Sequence, residues 1–137
     1  MIVADTNLVV YLFNPSALTP VVEQVYRKDS HWVAPGLWRS EYRNAVAILM
    51  RRGLLTLDEA VEKIALAEAV MAQQDFDIVS ARILRLAADS GCTAYDCEFV
   101  ALAQDLKVPL VTSDKEVLTK FKGIAISPQA FCAGRAA

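Results

Sequence analysis

An α/β sandwich, with helices on both faces of a mainly parallel sheet of about five strands, is the fold class that this 137-residue sequence predicts. Three observations predict it. Short apolar runs, such as IVA at 2–4 and LVT at 110–112, alternate with longer stretches whose apolar residues recur every three or four positions. The short runs lack polar alternation, as strands covered on both faces do. Acids close two of them, Asp5 after the first and Asp114 after LVTS, so that a strand end passes into a helix start. The length suits one domain spanning 1–137, with no linker, repeat or low-complexity stretch.

Taken in order, Ile2–Ala4 reads as a strand, Asp5 closes it, and Leu8–Phe13 turns helical. Asn14-Pro15-Ser16 breaks that helix. Thr19 is the expected cap and Pro20 the first residue of a helix reaching Lys28, because proline is pre-set for helical φ and needs no partner for an N–H. His31–Ala34 is a second strand, and Pro35-Gly36 turns the chain into a helix over Leu37–Arg52. There Trp38, Tyr42, Ala45, Val46 and Leu49 form the apolar stripe, with Glu41 at its edge. Gly53 stops that helix. Thr56 and Glu59 fit a capping box for the next, which runs to about Ala72. On it Leu57, Val61 and Ile64 share one stripe, while Leu66 and Val70 lie on nearly the opposite face.

Phe76–Val79 is expected to be a strand, and Ser80 to cap a helix ending at Ser90 before Gly91. A helix starting near Thr93 carries Tyr95, Phe99, Leu102, Ala103 and Leu106 on one face, and Lys107 with Pro109 ends it. Leu110–Thr112 follows as a strand. Ser113 and Glu116 fit another capping box for the short helix Lys115–Lys120, and Ile124–Ile126 is the last strand.

Composition narrows the function. Hydrophobic residues make up 55% of the chain, yet no apolar run approaches the ~20 residues of a membrane span, so surplus apolar surface implies a permanent partner or self-association. The start MIVADTN lacks a basic segment and an apolar h-region, which points to a cytoplasmic protein. Three cysteines, Cys92, Cys97 and Cys132, contain no CxxC pair and argue against a disulfide framework or thiolate zinc site. The single histidine, His31, reads as a strand-edge residue and leaves little room for a Ser-His-Asp or Cys-His enzyme. A net charge of −2 gives no global attraction for nucleic acid, so any polyanion site needs local basic residues.

Asp5, Asp96 and Asp114 each fall at a strand end or helix start on one rim, and Glu41 approaches from a helix edge. Singly, each also fits a helix-terminus role, since acids are favoured in a first turn. As a set, four carboxylates without histidine or cysteine suit a hard, oxygen-preferring cation, magnesium or manganese. Such an ion also explains how crowded like charges tolerate one another.

The opening VADTN, the helix residues SEYRNA around Glu41, the run TAYDCEFVALAQDLKVPLVTSD and the ending IAISPQAF resemble the PIN-domain ribonucleases, in particular the VapC toxins of bacterial toxin–antitoxin pairs. The resemblance covers essentially the whole chain. It implies metal-dependent hydrolysis of RNA by a bound water, with Asp5, Glu41, Asp96 and Asp114 as the acidic quartet. Asp5, Asp96 and Asp114 would hold Mg2+ or Mn2+, with Asp5 and Asp96 the firmest ligands. Thr112 matches a threonine that supports the last acid, and Asn7 a polar position beside the first. Glu98 departs from the family, which usually has an uncharged residue there. Arg39, Arg43, Arg82 and Lys115 are candidates for steering RNA phosphates, each with a solvated-face reading beside it. The resemblance further implies a homodimer silenced by a cognate antitoxin; the two-faced apolar helix from Thr56 to Ala72, with Leu66 and Val70, is the expected contact, burial against a neighbouring helix being the other reading of its pattern.

Three other readings fit less of the pattern. A haloacid-dehalogenase-like phosphatase needs a second aspartate two residues after the first, where this chain has Asn7. A phospho-receiver domain expects paired acids near its start. A PIN-like binding module without catalysis would use the acids only as helix caps.

Overall fold

The computed structural model describes residues 1–71 and 76–137. Four strands form its sheet: β1 (Ile2–Ala4), β2 (Trp32–Val33), β3 (Leu110–Val111) and β4 (Ala125–Ile126). All pairings are parallel and the order is β2-β1-β3-β4, with Val3 opposite both Val33 and Leu110. Every strand residue is buried, as expected for short apolar runs with helices on both sides. The chain leaves β1 towards β2 and later returns to β1's other side as β3. The carboxyl ends of β1 and β3 therefore flank a topological switch point, the place where open parallel sheets form a crevice.

Eight helices are present among the described residues: α1 (Thr6–Phe13), α2 (Thr19–Lys28), α3 (Trp38–Arg51), α4 (Leu57–Val70), α5 (Ser80–Ser90), α6 (Ala94–Leu106), α7 (Lys115–Lys120) and α8 (Pro128–Cys132). None is long and apolar enough to cross a membrane. Helix α6 packs against β1, β3 and α5 and buries Cys97, Phe99, Val100, Ala101, Leu102 and Ala103, so it is covered nearly all round. It ends at Lys107, whose left-handed φ of 55° reverses the chain before Pro109.

Several local expectations change in three dimensions. Phe76–Val79 is not a strand: Phe76 and Ile78 turn to the core and Asp77 and Val79 outwards, but among the described residues no strand pairs with their backbone. Among the described residues the sheet accordingly has four strands rather than about five. Thr19 is the first residue of α2 rather than its cap, because its hydroxyl donates to the Tyr11 carbonyl at 2.7 Å and ties α2 to α1. Val79, not Ser80, precedes α5 as its cap. Asp114, not Ser113, caps α7, accepting from the N–H groups of Glu116 at 2.8 Å and Val117 at 3.0 Å. The Thr56–Glu59 capping box of α4 is present. Ala72, the expected end of that helix, lies outside the described residues.

Helix α4 also turns differently from its apolar pattern. Its buried line is Ala60 and Ala67, continued by Met71, with Ile64 and Val70 packed at the margin. Leu57 and Val61 face out at 64% and 58% exposure, as does Leu66. Small residues let α4 come close to α3, where the Tyr42 hydroxyl donates to the Lys63 carbonyl at 3.4 Å. The Lys63 ammonium in turn meets the Phe13 carbonyl at 2.5 Å.

Two leucines test this division. Leu102→Ala, at a site only 1% exposed, should lower unfolding free energy by about 2–5 kcal/mol in urea titrations. Leu57→Ala should stay within about 0.5 kcal/mol of the parent. Equal losses would place Leu57 in a packed core.

Candidate active site

Asp5 ends β1 and occupies the cap position of α1, yet its carboxylate makes no cap hydrogen bond. It is held instead from across the switch point. Thr112, fully buried just after β3, donates its hydroxyl to Asp5 Oδ2 at 2.6 Å, and Asn7 Nδ2 donates to the same oxygen at 3.2 Å. The Thr112 oxygen also accepts from the Asp114 N–H at 3.0 Å and from Asn7 Nδ2 at 3.4 Å. Asn7 Oδ1 accepts from the Ser113 N–H at 3.4 Å. Backbone pairing runs on alongside, with the Asp5 N–H donating to the Val111 carbonyl at 3.1 Å.

Glu41 enters from α3 at the half-buried margin of the Trp38–Tyr42–Val46 stripe. Its Oε1 accepts from the Thr6 hydroxyl at 2.8 Å. The sequence reading passed over Thr6. Its signal was a hydroxyl residue directly after the strand-end acid, at the start of the following helix. Asp96 lies in the first turn of α6, whose cap is Thr93, the Thr93 hydroxyl accepting from the Asp96 N–H at 3.1 Å. That bond uses the Asp96 backbone N–H, while the Asp96 carboxylate is itself favoured by the Thr93 hydroxyl and backbone N–H.

Burial pushes the Asp5 carboxyl up to about 6, with the charges of Glu41 and Asp96 adding to it and the Thr112 hydrogen bond opposing. Glu41 is raised by burial and by the charges of Asp96 and Glu98, against its bond from Thr6. Asp96 is raised by burial and by Asp114 and Glu116, against the Thr93 hydroxyl. These acids thus feel one another electrostatically. Glu98 belongs to the same neighbourhood, since its charge reaches Glu41, and burial raises its own carboxyl.

The donor set is all oxygen, and a partly buried acid among like charges is the setting a cation relieves, so its chemistry fits magnesium or manganese. As the side chains stand, no three His, Cys, Asp or Glu among the described residues come close enough to hold a metal. Asp114 gives one carboxylate oxygen to the start of α7. His31 is exposed before β2, at the amino end of the sheet and away from the acids. All three cysteines are free thiols.

The candidate cations divide. Arg82 pairs with Asp105, and its other guanidinium nitrogen donates to Gln104 Oε1 at 2.6 Å, so it fastens α5 to α6. Arg39 lies 3.8 Å from Glu68 and stacks over the Trp38 ring at 5.3 Å. Arg43 and Lys115 are exposed. Of the two residues expected to meet a partner, Leu66 is exposed and Val70 packs against the core.

A family model described as PIN domain matches residues 2–124. No curated protein sequence matches the chain. Among solved structures it is similar to one described as the crystal structure of PAE2754 from Pyrobaculum aerophilum, with a TM-score of 0.74 over 97% of this chain and 93% of that one. Sequence identity there is 20%, so this likeness speaks for the fold alone. PIN domains are in general nucleases and typically use divalent metals. With nearly its whole length matched, and with helices flanking the parallel sheet that such a fold requires, the chain belongs to the PIN-domain family.

Proposed function

We propose that the protein is a metal-dependent endoribonuclease of the VapC kind, the cytoplasmic toxin of a toxin–antitoxin pair. One observation carries this reading. Asp5 is half-buried, makes no cap hydrogen bond and feels the charges of Glu41 and Asp96, an arrangement that is unfavourable without a bound cation.

Asp5, Asp96 and Asp114 would hold magnesium or manganese, and a divalent ion there supplies positive charge for the phosphate and makes water more acidic. The chain's own groups do the positioning. The Thr112 hydroxyl and Asn7 amide both grip Asp5 Oδ2, so neither competes for Oδ1. Thr6 fixes Glu41 Oε1, leaving Oε2 to orient water and take its proton. Arg39, Arg43 and Lys115 would attract RNA phosphates, which a net charge of −2 does not do on its own. For the antitoxin contact and a homodimer, α4 offers two exposed faces, one with Leu66 beside the core-packed Val70 and the other with Leu57 and Val61.

Asp96→Asn separates this reading from a catalytically silent PIN-like module. It should abolish magnesium-dependent RNA cleavage while leaving the Tm without metal unchanged or higher, because one of several repelling acids becomes neutral. Cleavage near the parent rate would reduce Asp96 to a helix-start residue.

Acidity gives a second check. Asp5 holds its proton to about pH 6 when folded but only to about 3.8 when unfolded, so the folded state binds more protons in that window and loses stability as pH rises through it. Melting curves in chelator should therefore fall between pH 4 and 7, and magnesium should flatten the fall by binding the folded state. A Tm that climbs over this range in chelator would contradict the strained acid cluster. Light scattering at micromolar concentration should give twice the 15.0 kDa chain mass, and a clean monomer would assign the exposed leucines to the antitoxin alone.

A further inference from the structure

A cleft of about 420 Å3 opens between the starts of α3 and α6, lined by Leu37, Ser40, Glu41, Asn44 and Tyr95. Its volume is within the ~300–1,000 Å3 range of small-ligand sites. The first four residues follow the i, i+3, i+4, i+7 spacing of one helical face. They bring a hydroxyl, a carboxylate, an amide and one aliphatic side chain to a single wall, while Trp38, Tyr42 and Val46 carry α3 into the core.

Tyr95 supplies the other wall. Its spacing assigns it to the buried face of α6, yet it is 65% exposed, whereas Phe99, Leu102 and Ala103 on that face are buried. No other aromatic ring packs on it among the described residues. An exposed ring facing an amide is the pairing that holds a nucleobase, the ring stacking on its face while the amide donates and accepts at its edge. Glu41 belongs both to this cleft and to the acid cluster, and Asp96 follows Tyr95 directly, so a base seated here has its phosphate at the acid rim. Arg43, exposed beside Asn44, is placed for the next phosphate.

We propose that this cleft is a nucleobase subsite, in which one base of a single-stranded RNA stacks on Tyr95 against Leu37 while Asn44 and Ser40 read its edge. The position of the scissile phosphate rests on the nuclease reading of the acids. Base binding itself does not.

The test is fluorescence anisotropy with 5′-labelled RNA octamers of each base and an abasic octamer, using the parent chain in EDTA and Asp96→Asn in magnesium. Tyr95→Ala should weaken base-bearing octamers about tenfold or more, and Tyr95→Phe should bind like the parent. The abasic strand should bind the parent and Tyr95→Ala equally weakly. Asn44→Ala should alter the ranking among the four bases more than the mean affinity. Parent-like binding by Tyr95→Ala, an abasic strand that binds as tightly as the others, or no saturable binding in either condition would overturn the subsite. Base-dependent binding without cleavage by the parent in magnesium would remove the nuclease reading and leave the subsite standing. Cleavage with binding indifferent to Tyr95 would do the reverse.

Discussion

Thr112 has one hydroxyl proton and two oxygen lone pairs, and all three are engaged. The proton goes to Asp5 at the end of β1, and the lone pairs take the Asp114 N–H and the Asn7 amide. A fully buried hydroxyl without partners would carry a desolvation penalty of about 1–3 kcal/mol, so the bonds also hold the strand ends in place. The carboxyl ends of two adjacent parallel strands are pinned in one register, with Asn7 and the start of the Asp114 turn fastened to the same hydroxyl. Glu41 reaches it through Thr6, the residue after Asp5.

Around this pin the fold accepts a local disadvantage. Asp5, Glu41 and Asp96 are all pushed toward protonation, with burial the largest cause in each and like charges adding to it. An apolar or amide residue of similar size would suit a chain selected for stability alone. Asp114 is under different constraints, because one of its oxygens stabilises the start of α7 whatever else the other does. Capping and ligation are compatible in one carboxylate. Hence a capping pattern in the sequence does not by itself argue against a functional acid.

The surface divides along similar lines. Helix α4 sets Ala60 and Ala67 inwards, where a small side chain permits close approach to α3, and the large aliphatic residues Leu57, Val61 and Leu66 outwards. Leu57 and Val61 flank the buried line on one side and Leu66 on the other, so large aliphatic side chains meet solvent on two faces of one helix, which is unusual unless something covers them. The cleft beside Tyr95 has the opposite character. It sets polar groups against a single exposed ring, a composition suited to a ligand with a flat face and a hydrogen-bonding edge.

The sequence by itself determined the local features of this protein. The four strand cores lie inside the runs that lacked polar alternation, the Thr56–Glu59 box starts α4, and acids stand directly after β1 and near the end of β3. Those features depend on neighbours within one or two turns, where sterics and hydrogen bonding act regardless of the rest of the chain. Tertiary structure decided which strands are adjacent, which hydroxyl meets which carboxylate, and which apolar residues are covered. Phe76–Val79 has the alternation of a strand but no pairing partner among the described residues, and Tyr95 has the spacing of a buried face yet is 65% exposed. Periodicity marks a face as apolar; only the placement of other elements determines whether water is excluded from it. Burial, the main contributor to the raised carboxyls of the acid cluster, is therefore a property of the assembled fold and not of any stretch of its sequence.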